Sequence, residues 1–193
     1  IRLPDVRLKG LSMVPPPLSR TATTGTLCLL YFLLMAGTFN SLGAVLPLMV
    51  TNLHMDWGQA GFGFALLGIG CGLSSLLPAI LTRRFGVSRT IGFGAILLVA
   101  GFLCMASAQG TSSYYAGTLL LGVGFCIAGT TPAIHVLSAL YEHPSRAIGV
   151  YFMAGGLGSV MGPLIFLAIS SLLAGWRPFW AILGLSTALI GTA

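Results

Sequence analysis

Formal charge interrupts this chain only at long intervals. No Asp, Glu, Lys or Arg occurs from Thr21 to Met55, from Trp57 to Thr82, from Thr90 to Tyr141 or from Ala147 to Trp176. A helix that crosses the hydrocarbon core needs about 20 mostly apolar residues at about 1.5 Å rise each. The first, second and fourth gaps each hold one such helix. The third holds two, divided by the polar stretch Gln109-Gly110-Thr111-Ser112-Ser113, and a sixth apolar run opens at Pro178 and stops at Ala193. The pattern predicts spans over approximately 26–50, 58–82, 90–108, 114–139, 147–173 and 178–193, the last truncated. Lipid offers no water to backbone groups, so only helices or closed barrels can cross it. Runs this long lack the alternating segments of about ten residues that build a barrel. The expected fold is an all-α membrane protein in which 26–193 form one transmembrane bundle.

Composition excludes the soluble alternatives. Only 6% of residues are charged and 56% are hydrophobic, with a mean hydropathy of +0.98; soluble domains carry roughly 25% charged residues. The first partner is therefore the lipid bilayer. The net charge of +6 has no soluble basic module to act through, so no nucleic acid is expected as a partner. It fits instead a role in topology, with some attraction to anionic headgroups. The chain begins with Ile1 and breaks off inside an apolar run, so it reads as a piece of a longer protein.

The cations give an orientation, because cytoplasmic loops carry the excess Lys and Arg. If the helices alternate, Arg2, Arg7, Lys9, Arg20, Arg83, Arg84, Arg89 and Arg146 share one side and only Arg177 lies on the other. The N-terminus is expected in the cytoplasm, and the membrane is expected to be the plasma membrane, or the inner membrane of a bacterium. Residues 1–25, basic and stiffened by Pro4, Pro15, Pro16 and Pro17, are expected to be a disordered cytoplasmic tail. They are not a signal peptide, since the apolar run that follows is too long.

Small residues indicate where helices meet, since lipid gives no hydrophobic drive between them. Glycine supplies 27 of 193 residues, with the pairs Gly68/Gly72 and Gly158/Gly162 each four apart. The first pair lies in the second span and the other in the fifth, and either close packing or rocking against partners accounts for them. Pro47, Pro78, Pro132 and Pro163 lie inside four spans and invite kinks. Cys28, Cys71, Cys104 and Cys126 share no ligand-like spacing, so neither a metal site nor any cofactor is expected.

The stretch Leu81-Thr82-Arg83-Arg84-Phe85-Gly86-Val87-Ser88-Arg89 resembles the G-x-L-x-D-R-x-G signature between helices 2 and 3 of the major facilitator superfamily, which is followed by basic residues. Leu81, Arg84, Gly86 and Arg89 match. Ala79 replaces the leading Gly, and Arg83 stands where the family has an Asp that joins a charged latch between two halves. That latch is therefore in question here. Gly175-Trp176-Arg177-Pro178-Phe179 resembles the family's G-W-R-x-F at the start of helix 6. Gly158-Ser159-Val160-Met161-Gly162-Pro163 resembles the G-x-x-x-G-P of its antiporter motif, with Leu164 to Leu167 where further glycines are usual. Helix 4 carries Gly122-Val123-Gly124, with Thr118 in place of an Arg often found there. Pro132, Tyr141, Arg146-Ala147 and Gly149 are also similar to the monocarboxylate and oxalate/formate porter branch. The resemblance implies a twelve-helix fold of two six-helix halves, of which this chain is the N-terminal one and the C-terminal one is a missing partner. It also implies secondary active transport of an unidentified small solute by alternating access around a midplane cavity, as symporter or antiporter.

Polar groups at depth are costly and often functional. Asn40 lies near the middle of the first span. Thr131, His135, Ser138 and Glu142 recur at spacings of four, three and four, so they share a helical face. Asn40, Thr131 and His135 are the leading cavity candidates, followed by Thr38 and Tyr151. Imidazole titrates near neutral pH, which suits His135 to solute contact or proton acceptance. No carboxylate lies within a span, so proton coupling would fall to His135 or to the other half. Enzyme chemistry is not expected, since neither an H-E-x-x-H nor a Gly-x-Ser-Gly motif occurs. The alternative is a transport-inactive receptor or scaffold of the same fold.

Overall fold

The computed structural model describes residues 17–173 and 175–191. Among these it contains nine helices and no strand: α1 (Pro17–Gly37), α2 (Phe39–Leu53), α3 (Trp57–Leu73), α4 (Leu77–Phe85), α5 (Val87–Ala106), α6 (Thr111–Ala128), α7 (Thr130–Leu140), α8 (Pro144–Leu173) and α9 (Arg177–Gly191). They correspond to six apolar passages, because three passages are each built from two helices. Four continuous stretches are long and apolar enough to cross a membrane, and the bent pair α3–α4 makes a fifth. The remaining helix, α9, has 15 residues and reaches about 22 Å.

One expectation needs correction. The tail expected over 1–25 is helical from Pro17 onward, so the first passage begins well before residue 26. The mostly small residues Ala22, Thr23, Thr24 and Gly25 contain no helix breaker beyond a single glycine, and α1 continues through them. Residues 1–16 lie outside the described residues.

The interruptions have local causes. Between α3 and α4 the chain bends by 47° across Ser74, Ser75 and Leu76, and Pro78 opens α4, where its missing N–H is harmless. Pro132 likewise falls in the first turn of α7, just after the break at Gly129. Pro47 and Pro163, by contrast, sit inside unbroken helices. The break between α1 and α2 has no proline of its own; it falls at Thr38 (φ −106°, ψ −117°). Two hydroxyls repair it. Thr38 Oγ1 donates to the Leu34 carbonyl at 2.7 Å, and Ser41 Oγ donates to that of Ala36. This is how a transmembrane helix tolerates a freed carbonyl.

In the bundle α6 lies between α3 and α5, α5 between α6 and α9, and α1 between α8 and α9, while α2 continues along α8. Aromatic contacts tie the middle of this arrangement: Phe102 of α5 stacks on Trp180 of α9 at 6.0 Å, Trp180 meets Phe179 at 5.0 Å, and Phe179 meets Phe166 of α8 at 5.5 Å. The surface is apolar as well, with Leu73, Leu172 and Leu189 all more than 70% exposed. Exposed large apolar side chains recur along α3, α4, α5, α8 and α9, more apolar surface than a soluble monomer ordinarily shows; lipid accommodates them.

The glycine pairs divide sharply. A Cβ at Gly158 or Gly162 would run into the backbone of α1 at Phe32 and Ala36, whereas one at Gly68 or Gly72 would meet nothing within 4 Å. The pair on α8 is therefore internal packing, and the pair on α3 faces outward from the chain. Where the two ends of the bundle are pinned, arginine and tyrosine do it. Arg177, stacked over Trp176 at 5.0 Å, donates to the Ala108 carbonyl at 3.0 Å, and at the other end Thr24 and Tyr141 share a hydrogen bond of 2.9 Å.

Candidate functional site

The sequence candidates separate into two groups by burial. Thr38 and Tyr151 are buried. Thr38 spends its hydroxyl on the α1–α2 break, and Tyr151 stacks on Tyr31 with ring centroids 4.2 Å apart and planes 13° from parallel. The expectation that these two face a cavity is corrected: both are packing residues in this structure. The reason lies in Gly155, whose missing side chain leaves room for the Tyr31 ring against α8.

Asn40, Thr131 and His135 are exposed. Asn40 is the second residue of α2 and Thr131 the second of α7, so each follows directly on the break in its passage. The Asn40 amide reaches the Ser159 carbonyl of α8 only at 3.5 Å, the outer limit of a hydrogen bond, and so keeps most of its capacity. On α7, Pro132, Ala133 and Leu137 face inward, while Thr131, His135 and Ser138 lie exposed on the opposite side. Glu142, also exposed, follows the end of that helix.

Sequence spacing gave no sign of the aromatic group beside Asn40. Phe39 of α2 meets Phe64 of α3 at 6.2 Å and Phe125 of α6 at 5.7 Å, both edge to face. The three come from separate helices, so no periodicity along one helix could have paired them. Together they bring α3 and α6 against the start of α2 at the level of its break.

The matched residues of the helix 2–3 stretch form an elbow. Leu81 and Arg84 lie near the end of α4, Gly86 joins α4 to α5, and Arg89 lies in the first turn of α5. Gly86 takes φ +86°, a conformation that side chains other than glycine adopt only with strain. Arg83 and Arg84 occupy the last turn of α4, where the helix dipole favours cations. The matched residues of α8 pack as described: Gly158 and Gly162 on α1, with Pro163 beside them inside the continuous helix. Among the described residues no group of His, Cys, Asp or Glu is placed to hold a metal.

These features align with known proteins. The Major Facilitator Superfamily family model matches residues 27–193. The chain is 28% identical over 145 residues to an uncharacterized transporter, YycB, of Bacillus subtilis, covering 75% of this chain and 36% of that protein. It is 30% identical over 156 residues to a quinolone resistance transporter of Acinetobacter baumannii, covering 72% of this chain and 35% of that one. Among solved structures it superimposes on the peptide transporter POT in complex with sulfate with a TM-score of 0.75 at 16% identity, covering 88% of this chain and 36% of that one. Tetrameric PepTSo2 gives 0.74 at 19% identity, covering 89% and 39%. The structural matches concern the fold alone. The chain spans little more than a third of the length of the relatives it matches.

Proposed function

Given that this chain belongs to the major facilitator superfamily, we propose that it is the N-terminal half of a secondary active transporter that carries a small solute by alternating access, working with a C-terminal six-helix half. One observation carries the reading. Asn40 and Thr131 are polar, exposed and deep within their passages, with His135 one turn beyond. Lipid cannot satisfy such groups, so water, a solute or a partner half must. Breaks directly before Asn40 and Thr131 give the two helices that bear them points to bend, as substrate-binding helices of transporters commonly have. The charge distribution supports a cytoplasmic N-terminus in a plasma membrane, or a bacterial inner membrane.

Counterflow in liposomes with the complete protein tests the proposal. A quinolone is a reasonable first solute, given the name of one relative. Saturable exchange of labelled for unlabelled solute is expected. Flux that never saturates points to a channel, and absence of flux with every solute tried favours the receptor or scaffold reading. No carboxylate lies within a described span, so if transport is proton-driven and this half carries the proton, His135→Ala abolishes acid-driven uptake and leaves counterflow running. Acid-driven uptake that survives the substitution assigns the proton to the other half.

A further inference from the structure

Among the described residues, the elbow between α4 and α5 concentrates cations that no carboxylate pairs. Arg83, Arg84 and Arg89 are all exposed. None of the three guanidinium groups makes a hydrogen bond or ion pair among the described residues, and that of Arg84 instead lies over the Phe85 ring at 5.6 Å. Of the described carboxylates, Asp56 caps the far end of the α3–α4 passage, and Glu142, which follows α7 on the side of the elbow, forms no ion pair with these arginines. The family signature leads one to expect a carboxylate at position 83, and the arginine there removes the one neutralising charge.

Directly beside these cations is a pocket of about 420 Å³ lined by Leu81, Phe85, Arg89, Thr90 and Phe93. Phe85 and Phe93 are about half exposed. The Thr90 hydroxyl is already bound to the Gly86 carbonyl at 2.8 Å, which leaves Arg89 as the charged group of the pocket. Phe93 is four residues on from Arg89, on the same face of α5 and one turn deeper into the membrane. With the elbow at a membrane face, the surface would present guanidinium groups to the headgroups and, one turn on, the aromatic ring of Phe93 to the first acyl carbons.

We propose that this elbow binds an anionic phospholipid, its phosphate held by Arg84 and Arg89 and one acyl chain lying in the groove between Phe85 and Phe93. Charge complementarity selects the anionic lipid, since a zwitterionic headgroup brings its own cation against three unpaired arginines. The apolar groove selects a lipid over free phosphate, because exposed cations alone hold a small anion only weakly in salt. The inference depends on the membrane placement of the chain and is independent of whether it transports anything.

Native mass spectrometry of the complete protein in detergent micelles, offered phosphatidylglycerol or phosphatidylcholine, tests it. Phosphatidylglycerol is expected to be retained in preference, and each engaged arginine contributes about fivefold. Arg84→Gln with Arg89→Gln lowers retention by about 25-fold on that scale, and Phe93→Ala weakens both lipids. Arg146→Gln, another exposed cation expected on the same side, leaves the preference intact, and millimolar inorganic phosphate does not displace the lipid. Circular dichroism and gel filtration establish that the variants fold. If the double variant does not, the single Arg89→Gln decides, with an expected loss of about fivefold. An unchanged preference without these arginines, an equal loss in Arg146→Gln, or displacement by phosphate overturns the proposal.

Discussion

Gly162→Val will cost the bundle about 3 kcal/mol or more, and combined with Gly158→Val it will leave no monodisperse folded chain in detergent. At both positions a Cβ would meet backbone of α1: the Phe32 carbonyl opposite Gly158 and the Ala36 carbonyl opposite Gly162. Backbone cannot rotate aside as a side chain can, so these substitutions exceed the usual 1–3 kcal/mol of overpacking. Gly162 carries a second cost. A side chain there would also strike Ser41 Oγ, whose bond to the Ala36 carbonyl repairs the break between α1 and α2, so it would expose an unsatisfied carbonyl in a dry environment. Gly156 faces open space on the same helix, and Gly156→Val is expected to change stability by less than about 0.5 kcal/mol. Thermal unfolding followed by gel filtration separates these cases. Equal effects at positions 156 and 162 would contradict the packing described.

Tyr114→Ala will cost about 3–5 kcal/mol, and Tyr114→Phe about 1 kcal/mol. The Tyr114 ring is fully buried against Gly63 of α3, and its hydroxyl donates to the Ala60 carbonyl at 2.9 Å. Truncation to alanine opens a cavity where α3 crosses α6, at the end of the bundle opposite the α4–α5 elbow. Loss of the hydroxyl alone leaves the ring in place. The same unfolding measurement checks the order. A phenylalanine variant as unstable as the alanine variant would mean that the hydrogen bond, and not the ring, holds this crossing.

Much of this fold was readable because lipid is an exacting solvent. Charge-free runs must lie in hydrocarbon, and each predicted span has its helices in the structure, from Thr26 onward in the first case. The breaks were harder to read. Proline marks a possible kink, yet Pro47 and Pro163 lie in unbroken helices, while the break at Thr38 depends on hydroxyls that bond backward to Leu34 and Ala36. Such bonds are a local choice between two satisfied geometries, and composition does not distinguish them. The polar candidates divided for a similar reason. Helical periodicity put Thr131, His135 and Ser138 on one face of α7, but it could not show that Tyr151 would be stacked on Tyr31 from another helix. Burial of Tyr151 was decided by Gly155 facing α1, a tertiary fact.

On the proposed function, Asn40, Thr131 and His135 face an aqueous path through the protein. Single cysteines at these positions, in the complete protein with Cys28, Cys71, Cys104 and Cys126 replaced by serine, can be exposed to a membrane-impermeant thiol reagent with and without solute. Labelling of all three is expected, at rates that solute changes, while cysteines at Thr38 and Tyr151 stay protected. Protection of Asn40, Thr131 and His135 positions in every state would contradict the account.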